Sequence, residues 1–141
     1  MDKEDPGEVK TFRDLRVWQS AMDLAVGAYD LTKALPKSET YGLSSQIQRA
    51  AVSVPANIAE GHTRRTLREY LHFLSIARSS LSEVQPYLEL VPRAGYSTPD
   101  RIRPMLELAQ SINRQLLAPR DSLSKRLQED SVPYDLDSST P

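Results

Sequence analysis

Apolar residues recur along most of the chain at steps of three and four, the interval that gathers them on one side of an α-helix. Leu15, Trp18, Met22, Ala25 and Tyr29 form one stripe, and Val17, Ala21, Leu24, Ala28, Leu31 and Leu35 form a second beside it. Together they make a face wider than one bundle seam needs, and the surplus predicts burial between subunits. Thr11 with Asp14 resembles a helix start, and Pro36 ends the run. Leu67, Tyr70, Leu74, Ala77, Leu81, Val84, Leu88 and Val91 alternate three and four without a break, behind the capping pattern Thr66-Leu-Arg-Glu69. Ile102, Met105, Ala109, Ile112 and Leu116 mark a further helix entered near Thr98-Pro99, and Leu123 and Leu127 offer an extension past Pro119. No segment alternates with period two between hairpin turns. The pattern predicts an all-α fold, an antiparallel up-and-down four-helix bundle over residues 11–128, with helices at about 13–35, 42–60, 67–92 and 100–118.

The second helix carries more than a core stripe. Leu43, Ile47, Ala50 or Ala51, Val54 and Ile58 supply its apolar side, while Gln46, Arg49, Ser53, Asn57 and Glu60 line up at steps of three and four on another. Pro55 interrupts the backbone hydrogen bonding, and a kink is the expected relief. Small residues around it, Ala50, Ala51, Ser53, Ala56 and Ala59, let a neighbouring backbone approach. Gly61 is expected to close the helix in the left-handed conformation.

Composition narrows the chemistry. The 141 residues are 39% hydrophobic, enough for one globular domain, and include no cysteine, so disulfides and thiolate metal sites are excluded. His62 and His72 are ten residues apart with no acidic ligand pattern around them, so a metal site is not expected. Ser79 lies seven residues from His72, about 10 Å along a helix and too far for proton transfer. Glycine-rich phosphate loops and paired catalytic carboxylates do not occur, so neither an enzyme nor a cofactor is expected. The N-terminus is acidic and unlike a signal peptide, and no apolar run reaches the length of a membrane span, so a cytoplasmic protein is expected. The net charge of −1 is uneven: residues 1–10 carry −2 and residues 129–141 carry −4, leaving 11–128 at +5. The two ends read as acidic tails, the second disordered, flanking a moderately basic core compatible with nucleic acid.

The segments FRDLRVWQSAMDLA (12–25), YGLSSQIQRAAVSVPANIAEG (41–61) and YLHFLSIARSSLSEV (70–84), with Gly95-Tyr96, closely resemble the bacterial four-helix-bundle family associated with intervening sequences of large-subunit ribosomal RNA genes. The pattern QxxRAxxSxxxNIAEG is its most specific part, and the likeness runs over residues 12–117. That family is more distantly similar to the accessory protein of diversity-generating retroelements, which works with a reverse transcriptase. The resemblance implies a four-helix protomer assembled into a homopentameric ring, with nucleic acid as the suspected ligand for part of the family. Ser79-Ser80 stands where the family shows glycine-serine, and Pro86 falls where an uninterrupted helix is usual.

Two clusters stand out as candidate sites. Gln46, Arg49, Ser53, Asn57 and Glu60, with Glu83, form either a ligand-reading face or a structural polar network within the bundle or between subunits. The network is the preferred reading, with Glu60 or Glu83 as the anionic partner that a buried Arg49 needs. Arg64, Arg65 and Arg68, with Arg78 placed near the same azimuth, form either a phosphate-binding line or an ordinary solvated face. Trp18, Tyr29, Tyr41 and Phe73 sit at core spacing. The expected function is a non-enzymatic homo-oligomer that presents basic surface to RNA or DNA, in the setting of an accessory to a nucleic-acid enzyme such as a reverse transcriptase. The alternative is a structural or protein-interaction oligomer.

Overall fold

The computed structural model describes the backbone of residues 10–138 and the side chains of residues 10–118. Four helices, α1 (Arg16–Lys33), α2 (Leu43–His62), α3 (Leu67–Arg93) and α4 (Pro99–Ser138), follow one another, with short 3-10 turns at Phe12–Asp14 and Lys37–Glu39. No strand occurs among the described residues. α2 and α3 run antiparallel, since Ser53 meets Ser80 and Gly61 meets Phe73. α3 and α4 do likewise, with Arg78 facing Asn113, and the Tyr96 hydroxyl beyond α3 returns to Glu39 between α1 and α2. The result is a four-helix bundle.

One core fills it. Leu24, Ile47, Ile58, Leu74, Leu81, Leu88, Ile102, Ile112 and Leu116 are fully buried, and the alternation of Leu74, Ala77, Leu81, Val84, Leu88 and Val91 places all of α3's inner face there. On α1 the core takes Ala21, Leu24, Ala28 and Leu31, together with Ala25, and just past the helix it takes Leu35. The stripe beside it stays largely outside, with Met22, Val26 and Tyr29 exposed. Two aromatic expectations are therefore corrected. Tyr29 is 47% exposed because it belongs to the surplus stripe, and Tyr41 is 96% exposed on the turn before α2, where no helix holds it against the core.

Gly61 is also corrected. It lies inside α2, buried, and the helix ends at Thr63 in ordinary right-handed geometry. Its value is steric. A β-carbon there would stand 2.9 Å from Phe73 Cβ and 3.4 Å from the Tyr70 carbonyl oxygen, so its absence lets α2 and α3 close on each other. The residue with positive φ is Gly95, at +83°. It allows Tyr96 N–H to reach the Val91 carbonyl and Gly95 N–H the Pro92 carbonyl, both at 3.0 Å, the paired bonds of a Schellman ending.

The prolines are absorbed. α2 is continuous across the buried Pro55, and α3 runs through Pro86 and Pro92 without a break. Pro99 opens α4, where its missing N–H is not needed, and Thr98 Oγ1 accepts from Arg101 N–H at 3.3 Å. Pro104 lies within the helix. α4 continues well past 118, and the expectation of a structureless segment from residue 129 gives way to helical backbone as far as Ser138. Low apolar content argues against a packed core but does not forbid a solvated helix, and Leu127, Gln128 and Glu129 have good helix propensity. Of the two expected tails, residues 1–9 and 139–141 lie outside the described residues.

Candidate nucleic-acid interface

At one pole of the bundle the chain leaves α2, turns through Thr63 to Thr66 and enters α3. Thr66 caps α3 by accepting from Glu69 N–H at 3.1 Å, and its hydroxyl donates to the Glu69 carboxylate at 3.1 Å. This turn exposes Arg64, Arg65 and Arg68. They differ in availability. Arg64 pairs with Glu60 and lies with its guanidinium 4.7 Å above the Phe73 ring, whose edge also meets His72. Arg65 and Arg68 make no hydrogen bond or ion pair among the described residues.

The segment before α1 joins them. Thr11 and Asp14 form a true capping box, though around the 3-10 turn and not at the start of α1. Asp14 Oδ2 accepts from Lys10 N–H at 3.0 Å and Thr11 N–H at 3.1 Å, and Gln19 Nε2 donates to the Arg13 carbonyl at 2.9 Å. The clamp sets Arg13 4.5 Å over the Phe12 ring, which meets Trp18 edge-on. It also brings Lys10, Phe12 and Arg13 to His62 and Thr63 around an open cavity of about 360 Å³. The pole thus collects Lys10, Arg13, Arg16, Arg64, Arg65 and Arg68 against Asp14, Glu60 and Glu69. At the other pole Lys33, Lys37, Arg93, Arg101 and Arg103 are balanced by Asp30, Glu39, Glu89, Asp100 and Glu107. The contribution of Lys10, Arg13 and Arg16 escaped the sequence reading, although the Thr11-Asp14 pair was its signal.

Asp14 makes this clamp sensitive to acid. The Thr11 and Lys10 backbone N–H bonds hold its carboxyl below the ordinary aspartate range. With the folded value depressed, the contribution is complete above the ordinary carboxylate range and is lost as pH falls through the depressed value. Asp14→Ala is expected to remove amide protection, relative to the intrinsic exchange rate at the same pH, at Lys10 and Thr11 at neutral pH, a loss that wild type shows only in strong acid, with protection in the middle of α3 unchanged.

Arg78 does not belong to this surface. Ten helical residues carry it about 80° around α3 from Arg68, and there it is half-buried, with Nε donating to Asn113 Oδ1 of α4 at 3.4 Å.

The polar line of α2 divides. Ser53, Asn57 and Ser80 come together: Ser80 Oγ donates to Ser53 Oγ at 2.7 Å, and Asn57 Nδ2 donates to Ser53 Oγ at 3.0 Å and to its carbonyl at 2.8 Å. These bonds satisfy polar groups in the α2–α3 seam. Gln46, Arg49 and Glu83 are exposed and make no hydrogen bond or ion pair among the described residues. The expected pairing of Arg49 with Glu60 or Glu83 is therefore corrected for the protomer, in which Arg49 is solvated and Glu60 is taken by Arg64.

Fold and surface together define a small all-helical bundle protein with one basic pole. The chain belongs to the 23S rRNA-intervening sequence protein family, whose model matches residues 13–118. It is similar to a crystallographically determined protein of unknown function from the S23 ribosomal protein family of Bacteroides thetaiotaomicron VPI-5482. The two are 27% identical, the match covers 74% of this chain and 97% of the other, and the TM-score is 0.69. Among curated proteins, none matches. No described helix is long and apolar enough to cross a membrane.

Proposed function

We propose that this protein is a non-enzymatic homo-oligomer that presents its basic pole to RNA or DNA. The observation that carries this reading is that, among the described residues, Lys10, Arg13 and Arg16 lie at the same end of the bundle as Arg64, Arg65 and Arg68, with Lys10 and Arg13 bordering one cavity with His62 and Thr63, while the opposite pole is charge-balanced. Arg65 and Arg68 have guanidiniums without a hydrogen bond or ion pair among the described residues, and a guanidinium's fixed donors suit phosphate. Phe12 and Trp18 add aromatic surface beside the cations. An accessory role beside a nucleic-acid enzyme such as a reverse transcriptase is the setting implied by the sequence resemblance.

Assembly rests on a second feature. Met22, Ala25, Val26, Tyr29, Val52 and Pro55 line an almost wholly apolar groove of about 410 Å³ between α1 and α2. Exposed apolar surface of this continuity favours a protein contact, and the pentamer implied by the resemblance would place five basic poles in a ring, where weak contacts add. The same groove supports the second reading, an interaction protein without a nucleic-acid role. Fluorescence anisotropy with a structured RNA, a single strand and a DNA duplex, alongside light scattering, separates the two. The proposal expects binding and a mass near five times 15.9 kDa. A mass near five times that of the chain without binding to any of the three would support the interaction protein, and a monomer at micromolar concentration would overturn the assembly.

A further inference from the structure

The charge-balanced pole holds a second polar constellation, where α1 ends and α2 begins. A cavity of about 290 Å³ there is bordered by Thr32, Lys33, Lys37, Thr40, Ser44 and Gln48. Thr32 is already satisfied, since its hydroxyl donates to the Tyr29 carbonyl at 2.9 Å and accepts from Gln48 Nε2 at 2.8 Å. Lys33 lies 3.5 Å from Asp30 in an exposed pair, a contact that a competing anion replaces at little cost.

Ser44 is different. It is only 7% exposed, it lines the cavity, and its hydroxyl has no hydrogen-bond partner among the described residues. Its oxygen is nevertheless not sealed from solvent, since no buried side-chain polar atom lacks a partner among the described residues. A donor held in a nearly buried residue beside a cavity gains most from an acceptor placed in that cavity.

The start of α2 supplies more donors beside it. Gly42 provides no side-chain cap. Glu39, itself held by the Tyr96 hydroxyl at 3.1 Å, takes only the Leu43 N–H, at 3.4 Å. The N–H groups of Ser44 and Ser45 have no partner among the described residues. They stand at the positive end of a 20-residue helix, and Lys37 is among the residues that border the cavity.

The geometry points to a binding site for a phosphate group in this cavity, received by the Ser44 hydroxyl and by Lys33 and Lys37 on its border, with the Ser44 and Ser45 N–H groups at the helix end beside it. A tetrahedral dianion uses this many donors more fully than a carboxylate does. The cavity exceeds the volume of phosphate alone, so a small organic remainder fits against the Tyr29 ring that forms its wall. The same chemistry is offered by a free phosphate or small phosphomonoester and by the terminal phosphate of a nucleic-acid strand. The site shares no residue with the arginine pole and stands or falls separately from it.

The test is an NMR titration of the full chain with inorganic phosphate, with chloride at matched ionic strength as control. Phosphate should shift the backbone amide signals of Ser44 and Ser45 saturably, and chloride should not. Ser44→Ala removes a hydroxyl that holds nothing in the protein, so the fold should survive with an unchanged circular dichroism spectrum and phosphate affinity should fall about tenfold. Lys37→Gln should weaken it comparably. An oligonucleotide carrying a 5′-phosphate, compared with its 5′-hydroxyl twin, separates the sources: a preference for the phosphorylated strand over inorganic phosphate assigns the site to strand ends, and equal binding of the twins assigns it to free phosphate or a small ester. Absence of saturable shifts at millimolar phosphate overturns the proposal, as does undiminished affinity in both variants.

Discussion

Replacing Arg64, Arg65 and Arg68 together by glutamine is expected to weaken RNA and DNA binding by roughly one to two orders of magnitude near 0.1 M salt, while leaving oligomer mass unchanged. Arg65 and Arg68 are exposed and make no hydrogen bond or ion pair among the described residues, so their loss costs the fold little. Arg64 contributes only an exposed pair with Glu60 and a stacking contact on Phe73, each of modest worth at the surface. A drop in melting temperature of no more than a few degrees is the corollary. The loss should fall equally on different sequences, because phosphate contacts position a strand without reading its bases. Lys10, Arg13 and Arg16 remain in the variant and should support residual binding. Changing them as well should remove it.

Gly61→Leu is expected to cause a large loss of stability, because Gly61 sits where α2 and α3 close on each other. Two effects oppose each other at this site. Alanine in a helix interior is favoured over glycine by about 0.8–1.0 kcal/mol. Against that, a β-carbon 2.9 Å from Phe73 Cβ and 3.4 Å from the Tyr70 carbonyl meets groups fixed to the α3 backbone, which cannot swing aside. Forcing extra atoms into a packed seam costs roughly 1–3 kcal/mol. The clash therefore wins, narrowly for Gly61→Ala at about 1 kcal/mol and decisively for Gly61→Leu at about 3 kcal/mol or more. Near 4 °C per kcal/mol for a chain of this size, Gly61→Leu should melt at least about 10 °C below wild type, measured at fixed protein concentration. If Gly61 were a left-handed helix terminus instead, leucine would be strained there by its backbone alone, and alanine would cost nearly as much as leucine. A graded loss from alanine to leucine is the signature of the steric role.

How far the sequence reveals this molecule depends on whether a feature is local. The unbroken alternation from Leu74 to Val91 defines α3 without any knowledge of its neighbours, and Thr66 caps it as its spacing foretells. Gly61 and Gly95 show the limit. Both follow helical runs, and what separates them is Phe73 on the facing helix, a tertiary fact with no mark in the local pattern. The aromatic residues fail for a related reason. Tyr29 has core spacing, but α1 carries two apolar stripes and the protomer buries one, leaving Tyr29 beside Met22 and Val26 on the outer face.

The basic surface was half legible. Arg64, Arg65 and Arg68 are close in sequence and stay close in space, whereas Lys10 and Arg13 arrive from far along the chain through the Asp14 clamp. Arg78 was misplaced by the 80° or so that ten residues drift around a helix. Arg49 shows a different limit: a polar line predicts hydrogen bonding but not where the bundle's edge falls, and that edge passes between Ser53, which is partnered, and Arg49, which is not.

Engagement of phosphate by the basic pole is measured by the salt dependence of wild-type binding to one structured RNA between about 50 and 300 mM monovalent salt. Contact by the pole's cations releases condensed counterions, so log K should fall linearly with log salt by about 0.7 to 0.9 per phosphate engaged. The reading predicts a slope of roughly −3 or steeper for a single pole, reduced by about 2 to 3 in the triple glutamine variant. A slope near zero, or one that the three substitutions leave unchanged, would contradict it.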